Sequence, residues 1–308
     1  MVKSLSEIKE PKISELGGKG YSLAVLMNNS FNVPKGFVIT SQAFFNFLRY
    51  KNFLNKIQKI TSQINESNFQ EKSKDIKGLI LNKKMPKEIV SEIKEGVNKL
   101  DVKYVSARSS AVSEDSLKAS FAGLHDTFLN IKAEPDLVLE NIRKCWASLF
   151  NERAVIYRIK KGIPHLEGIA VVIQEMIPAE ISGITFTVHP TNEKSLIIEA
   201  SYGIGDMIVC GKLTPDDYIV DRETLEILEK RIGNKRKMSI CRGGEIKIID
   251  VEKEHTEKQV INDETINKIA RTCLDVEDVF KYPIDIEWCI FDNKLWLLQS
   301  RPITGVIK

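Results

Sequence analysis

No apolar run in this 308-residue chain approaches the ~20 residues that a membrane-spanning helix needs, so no such span is expected. The opening Met1-Val2-Lys3-Ser4-Leu5 lacks the apolar core of a signal peptide. Charge of one sign is missing too. Lys and Arg number 45 against 42 Asp and Glu, a net of +3, too weak to argue for nucleic acid or an anionic membrane. Cysteines are few and scattered: Cys145, Cys210, Cys241, Cys273 and Cys289 are odd in number and no two have metal-ligand spacing. The expectation is buried, reduced thiols in a cytoplasmic protein. No internal repeat or low-complexity tract occurs.

What is present is an ordinary globular composition, 43% apolar, on a chain long enough for two modest domains or one bilobal one. Gly17-Gly18-Lys19-Gly20 leads into a helical pattern from Tyr21 to Met27. After the turn Val33-Pro34-Lys35-Gly36 comes a short strand, Phe37-Val38-Ile39. Thr40 or Ser41 suits the N-cap of a helix carrying Phe44, Phe45, Phe47 and Leu48. Residues 51–100 are lysine-rich with periodic Ile, Leu and Val, the pattern of amphipathic surface helices. Val102–Arg108 reads as a strand, followed by a Ser/Gly-containing loop to Thr127 and a helix with Ile142, Trp146, Leu149 and Phe150 on one side. Gly168–Ile177 reads as a buried strand, with more strands at Ile184–Val188 and Ser195–Ala200. Tyr218–Asp221 and Glu226–Lys230 form a hairpin pattern, and Asp216 and Asp217 read as a turn before it. The expected class is α+β and bilobal, divided near Ala179–Gly183 into residues 1–182 and 183–308.

The densest chemistry lies near the C-terminus. Ile284, Ile286 and Trp288 alternate with Asp285 and Glu287, and a second strand runs Leu297-Leu298-Gln299-Ser300-Arg301-Pro302. A three-residue loop, Asp292-Asn293-Lys294, pairs Glu287 with Gln299 and Asp285 with Arg301. Two carboxylates and an amide oxygen suit Mg²⁺, and the arginine suits a phosphate.

Other segments can also hold phosphate. Gly17–Gly20 offers backbone N–H groups and the Lys19 ammonium ahead of a helix, although it is not a P-loop. Arg108, among hydroxyls in Ser106-Ala107-Arg108-Ser109-Ser110, can grip phosphate bidentately. Ser120–Thr127 contains Gly123 and the Thr127 hydroxyl, so its backbone can fold over a polyphosphate. His125 within it reads as a structural group, as does His189. Val171–Pro178 can offer adenine its backbone, with Met176 or Ile177 against the ring. Ser201-Tyr202-Gly203-Ile204-Gly205-Asp206 lacks the third glycine of a dinucleotide fingerprint. Each segment has a bland alternative: a surface turn, a salt-bridged arginine, a core strand.

As an ordered set, Gly17–Gly20, Ser106–Ser110, Phe121–Asn130, Cys145–Arg153, Gln174–Ile177, Ser182–Val188, Ser201–Gly211 and Asp285–Pro302 span nearly the whole chain. In that order the chain resembles the N-terminal ATP-binding domain of phosphoenolpyruvate synthase and pyruvate phosphate dikinase, shared with rifampicin phosphotransferases and glucan, water dikinases.

The resemblance implies an ATP-grasp fold with ATP and Mg²⁺ between two lobes. It implies phosphate contacts from Lys19, Arg108 and Arg301, the catalytic set, with Gly123 and Thr127 in the loop beside them. Gln174, Glu175 and Ile177 are implied at the adenine and hinge, and Glu287 and Gln299 as metal ligands with Asp285 nearby. In such families ATP goes to AMP and phosphate, and the β-phosphoryl passes to a histidine on another domain. None of His125, His165, His189 and His255 sits in the Gly-rich setting of that histidine. The expectation is therefore a phosphotransferase component that needs a phosphohistidine domain in trans, the chain being an excised domain, a split subunit or a free-standing relative. The alternatives are the nucleotide-binding part of an antibiotic phosphotransferase and a catalytically silent ATP-binding module.

Overall fold

The computed structural model describes residues 1–113 and 124–303, together with the backbone of 115–116 and 119–120. The chain forms two compact units, Met1–Val25 with Lys35–Met176, and Leu26–Pro34 with Ile177–Lys308.

In chain order the first unit contains β1 (Val2–Ser4), most of α1 (Ile13–Asn28), β2 (Gly36–Ile39), α2 (Ser41–Arg49), α3 (Phe53–Thr61), α4 (Phe69–Asn82) and α5 (Lys87–Leu100). It continues with β3 (Tyr104–Ala111), the short ribbon β4 (Asp115–Ser116) and β5 (Ala119–Ser120), β6 (Thr127–Lys132), α6 (Pro135–Ser148), α7 (Glu152–Lys161) and β7 (Ile169–Glu175). Five strands make an antiparallel sheet in the order β1-β2-β7-β3-β6. Side chains alternate across it. Phe37, Ile39, Val105, Ala107, Ala111, Ile169, Val171 and Ile173 join one core with the helices. Trp146 of α6 anchors that core, 4.9 Å from the Phe47 ring and 5.7 Å from Phe44. The alternate positions of β3 and β7 carry Ser106, Arg108 and Ser110, with Val172 and Gln174 opposite. Residues 51–100 form amphipathic helices, as their periodicity predicts. The capping expectation fails: Thr40 sits at the N-cap of α2 without a side-chain capping bond. The Ser41 hydroxyl instead donates to the Ser14 carbonyl at 2.7 Å, drawn away from its own helix by the neighbouring backbone.

The second unit contains β8 (Ile181–Phe186), β9 (Ser195–Tyr202), α8 (Asp206–Val209), β10 (Asp216–Asp221), β11 (Ile227–Arg231), β12 (Lys237–Arg242), β13 (Glu245–Asp250), α9 (Asp263–Phe280), β14 (Ile284–Phe291) and β15 (Lys294–Pro302). Its main sheet is antiparallel, ordered β11-β10-β9-β8-β14-β15, and β12 and β13 form a separate ribbon. Ile266, Ile269, Ala270, Cys273 and Val276 make the buried stripe of α9. Its N-terminus is capped by Asn262, whose side-chain oxygen accepts from Thr265 N at 2.9 Å. Asp216 and Asp217 correct the turn expectation. Both lie in β10, and Asp216 is wholly buried. The thiols correct theirs in part: Cys145, Cys273 and Cys289 are buried, Cys241 is half-buried and Cys210 is exposed. Among the described residues no helix is long and apolar enough to cross a membrane.

The β14–β15 hairpin reaches the expected pairing by another route. Phe291 pairs with Lys294, so the loop is only Asp292-Asn293, with φ of 51° and 57°. Asp and Asn tolerate such left-handed values, and a two-residue loop of this kind matches the strand twist. A β-bulge then shifts the register between Glu287 and Trp288: Trp288 opposes Leu297, but Glu287 opposes Gln299. Leu298 is the extra residue.

Candidate functional site

The candidate residues assemble in two sets, each inside its own unit. In the first, α1 is kinked at Gly17, where φ is 67° and ψ is 178°. A Cβ there would lie 2.0 Å from the Ser110 carbonyl oxygen, so only glycine lets the backbones meet. The Ser110 hydroxyl stitches the two segments together. It donates to Leu16 O at 2.8 Å and accepts from Gly20 N at 3.1 Å. Lys19, within the stitched turn, is buried.

Arg108 lies two residues before Ser110 on the same side of β3. Its Nη1 donates to Gln174 Oε1 at 3.4 Å, and both side chains are buried. In the neighbouring strands Arg108 pairs with Val172 on one side and Thr127 on the other. Thr127 is exposed at the start of β6. Lys19, Arg108, Thr127 and Gln174 thus gather around one strand. Gly123 lies outside the described residues. The Glu175 amide donates to Lys35 O at 2.7 Å and the Met176 amide to Tyr104 O at 3.0 Å, so neither N–H is on offer to a purine. Ile177 is buried and opens the long segment of the second unit. His125 packs inward, with Nδ1 at 3.3 Å from Ser148 O.

In the second unit, strand pairing places the polar side chains in rows. Gln299, Glu287, Ile184, Glu199, Asp217 and Arg231 occupy successive strands in one row, and Arg301, Asp285 and Phe186 begin the next. Arg301 Nε donates to Asp285 Oδ2 at 2.7 Å. Asp285 and Gln299 are buried, and Glu287 and Arg301 are half-exposed. The bulge at Leu298 explains how one strand serves both sides of the sheet. Leu295 and Leu297 are buried with Trp288 on the core side, whereas Gln299 and Arg301 stand with the carboxylates.

Glu199 and Asp217 are members of this face that the motif reading missed. Burial raises the Glu199 carboxyl above its usual range, reinforced by Asp217 and Asp285. Burial also raises Asp217, with Asp216 and Glu229 adding to the effect and Arg231 opposing it. The available signal was Glu199 itself, a single carboxylate within the apolar run Leu196-Ile197-Ile198-Glu199-Ala200. A face offering carboxylate and amide oxygens, with the Glu199 and Asp217 carboxyls in the same row, supplies the hard oxygen donors that suit a divalent cation such as Mg²⁺.

A family model described as pyruvate phosphate dikinase, AMP/ATP-binding domain, matches residues 13–308. The chain is similar to a probable phosphoenolpyruvate synthase of Methanocaldococcus jannaschii, 38% identical over 99% of this chain and 27% of that protein. Similarity extends to the phosphoenolpyruvate synthases of Pyrococcus furiosus, 34% identical over 98% of this chain and 44% of that one, and Aquifex aeolicus, 36% over 97% and 39%. The chain therefore spans less than half the length of these relatives. Among solved structures, Cdc123 from Schizosaccharomyces pombe aligns at 13% identity and a TM-score of 0.39, over 88% of this chain and 78% of that one.

Proposed function

The chain belongs to the pyruvate phosphate dikinase AMP/ATP-binding domain family, and from that footing we propose that it binds ATP with Mg²⁺ and serves as the nucleotide-cleaving component of a phosphoenolpyruvate synthase-type phosphotransfer. ATP and water would yield AMP and inorganic phosphate, with the β-phosphoryl passing to a histidine nitrogen on a separate domain or protein. The observation that carries this reading is the pairing of Glu287 with Gln299 and of Asp285 with Arg301 on one face. A merely solvated sheet has no need of that donor set.

In this reading Lys19, Arg108 and Arg301 are the cations that take the phosphates, and Thr127 adds a hydroxyl. Glu287 and Gln299 would hold Mg²⁺, which when bound screens the phosphate charge. The Arg108–Gln174 and Arg301–Asp285 bonds set each guanidinium in one orientation before any ligand arrives. Such preorganisation is what phosphoryl transfer asks of a protein, because charge has to be met without reorganisation in the transition state. Gln174, Glu175 and Ile177 would lie toward the base. Phosphoenolpyruvate synthesis names pyruvate as the final acceptor, with the acceptor's own site on other domains.

The test is product analysis with ATP labelled at the β-phosphate, with and without a histidine-domain protein of this family. AMP, inorganic phosphate and label on the partner are expected only when both proteins are present. Formation of ADP, or no nucleotide binding at millimolar ATP, would overturn the reading.

A further inference from the structure

Cys145–Arg153 is a family-like segment to which the reading above gives no task. Its turn between α6 and α7 grips the short stretch Leu124–Asp126, which runs directly into Thr127. Asn151 Nδ2 donates to the Leu124 carbonyl at 3.3 Å and to Asp126 Oδ1 at 2.8 Å. The Ser148 carbonyl lies 3.3 Å from His125 Nδ1. From the sheet side, the Ser109 hydroxyl donates to Asp126 O at 2.6 Å, and the Ser109 amide donates to the same oxygen at 3.3 Å. Ser109 is the immediate neighbour of Arg108. Asn151 is itself held from behind, since Lys77 Nζ of α4 donates to its Oδ1 at 2.7 Å.

Asn151 occupies the N-cap position of α7 yet makes no side-chain capping bond there. An asparagine normally spends its side-chain oxygen on the first-turn amides. Here the oxygen is turned to Lys77 and both amide hydrogens to the 124–126 stretch. The helix forgoes its cap, and the stretch that precedes Thr127 gains a fixed end.

We propose that Asn151 is a positioning residue. It anchors Leu124–Asp126 so that Thr127 and its neighbour across the sheet, Arg108, meet the nucleotide phosphates in register. The proposal rests on the nucleotide reading for its consequence, but the anchoring stands on this geometry alone. Asn151→Asp is the informative variant. It keeps the size, the N-cap compatibility and the oxygen facing Lys77, loses both donors, and sets a carboxylate against Asp126. Asp126→Asn, which retains an acceptor for Asn151, is expected to be silent. Combining the two restores one donor–acceptor pair with its direction reversed.

Two readouts test it. Amide hydrogen exchange at residues 124–127 without ligand is expected to quicken in Asn151→Asp, to stay unchanged in Asp126→Asn and to recover in the double variant. ATP affinity is expected to fall about tenfold in Asn151→Asp and to recover in the double variant, with adenosine affinity unchanged throughout, because only the phosphates feel the displaced loop. Unchanged exchange in Asn151→Asp overturns the anchoring. Faster exchange with unchanged ATP affinity overturns the positioning role. If the unaltered protein binds no nucleotide, the function reading fails separately, and exchange still decides the anchor. Should Asn151→Asp fail to fold, Asn151→Ser, too short to reach the stretch, carries the single-variant expectations: faster exchange at 124–127 and ATP affinity about tenfold lower, with no recovery on adding Asp126→Asn.

Discussion

Lys235 and Asp216 form an ion pair from which water is wholly excluded, both side chains being fully buried. Asp216 also accepts from the Gly233 amide at 2.9 Å, the Val260 amide at 2.8 Å and the Tyr218 hydroxyl at 2.9 Å. Lys235 adds a bond to Gly233 O at 2.8 Å. The pair ties the start of β10 to two irregular segments of the second unit. With every lone pair used, the desolvation of both charges is met by directed bonds.

Lys235→Met is therefore expected to destabilise the protein by about 3–5 kcal/mol, the cost of leaving a buried carboxylate without its counter-charge. Urea denaturation followed by tryptophan fluorescence measures it. A loss under about 1 kcal/mol would show that the pair is not the clamp described.

Gly17→Ala tests the close approach to Ser110. At φ 67° and ψ 178° a side chain is strained whatever the space, and its Cβ would overlap the Ser110 carbonyl. The expected cost is at least about 2 kcal/mol, read as a lower melting temperature. Wild-type stability would mean that α1 joins β3 in some other way.

Glu287→Ala is expected to leave the melting temperature within a few degrees and to reduce magnesium-dependent ATP turnover, measured with the histidine-domain partner, at least about a hundredfold. Removing one well-placed electrostatic contact costs roughly 3 kcal/mol in a transition state. Unchanged turnover would remove Glu287 from the metal site.

Glu199→Gln should make stability less sensitive to pH. Burial, Asp217 and Asp285 raise the Glu199 carboxyl in the folded protein. The folded state therefore holds this proton more tightly than the unfolded one. The resulting stabilisation is full below the unfolded value and is lost as pH rises through the raised folded value. At neutral pH the wild type carries a crowded carboxylate, so the glutamine variant is expected to be more stable there, with the difference shrinking toward pH 4. Denaturation curves at both pH values check the sign. A variant less stable at pH 7 would contradict it.

Asn293→Gly addresses the two-residue turn. With φ of 57° at Asn293, glycine relieves the left-handed strain, and a gain of about 0.5–1 kcal/mol is expected in thermal or urea unfolding. Destabilisation would argue for the three-residue loop after all.

Local order was legible where one periodicity ruled a segment. The amphipathic helices between 51 and 100, the buried strand of β7 and the alternation of Ile284 to Trp288 are written in near neighbours. The pairing of Glu287 with Gln299 was legible as well, but from a three-residue loop that does not exist. A shorter turn and a bulge at Leu298 lead to the same partners. Parity along one strand cannot reveal an extra residue, because a bulge is settled by what each side of the sheet packs against. Asp216 was misread for a related reason: its partners lie at Gly233, Lys235 and Val260, and no local pattern announces them.

The sequence by itself determined the family, because its glycine, serine-arginine and C-terminal hairpin segments recur in an order that composition alone would not produce. Only the tertiary structure decided which residues meet. Ser110 joins Leu16 and Gly20, and Asn151 reaches back to Leu124 and Asp126. Glu199 joins the acidic row through two neighbouring strands. Hydrogen bonds between residues so far apart in the chain depend on backbone paths, and those are set by burial of the whole core rather than by any motif.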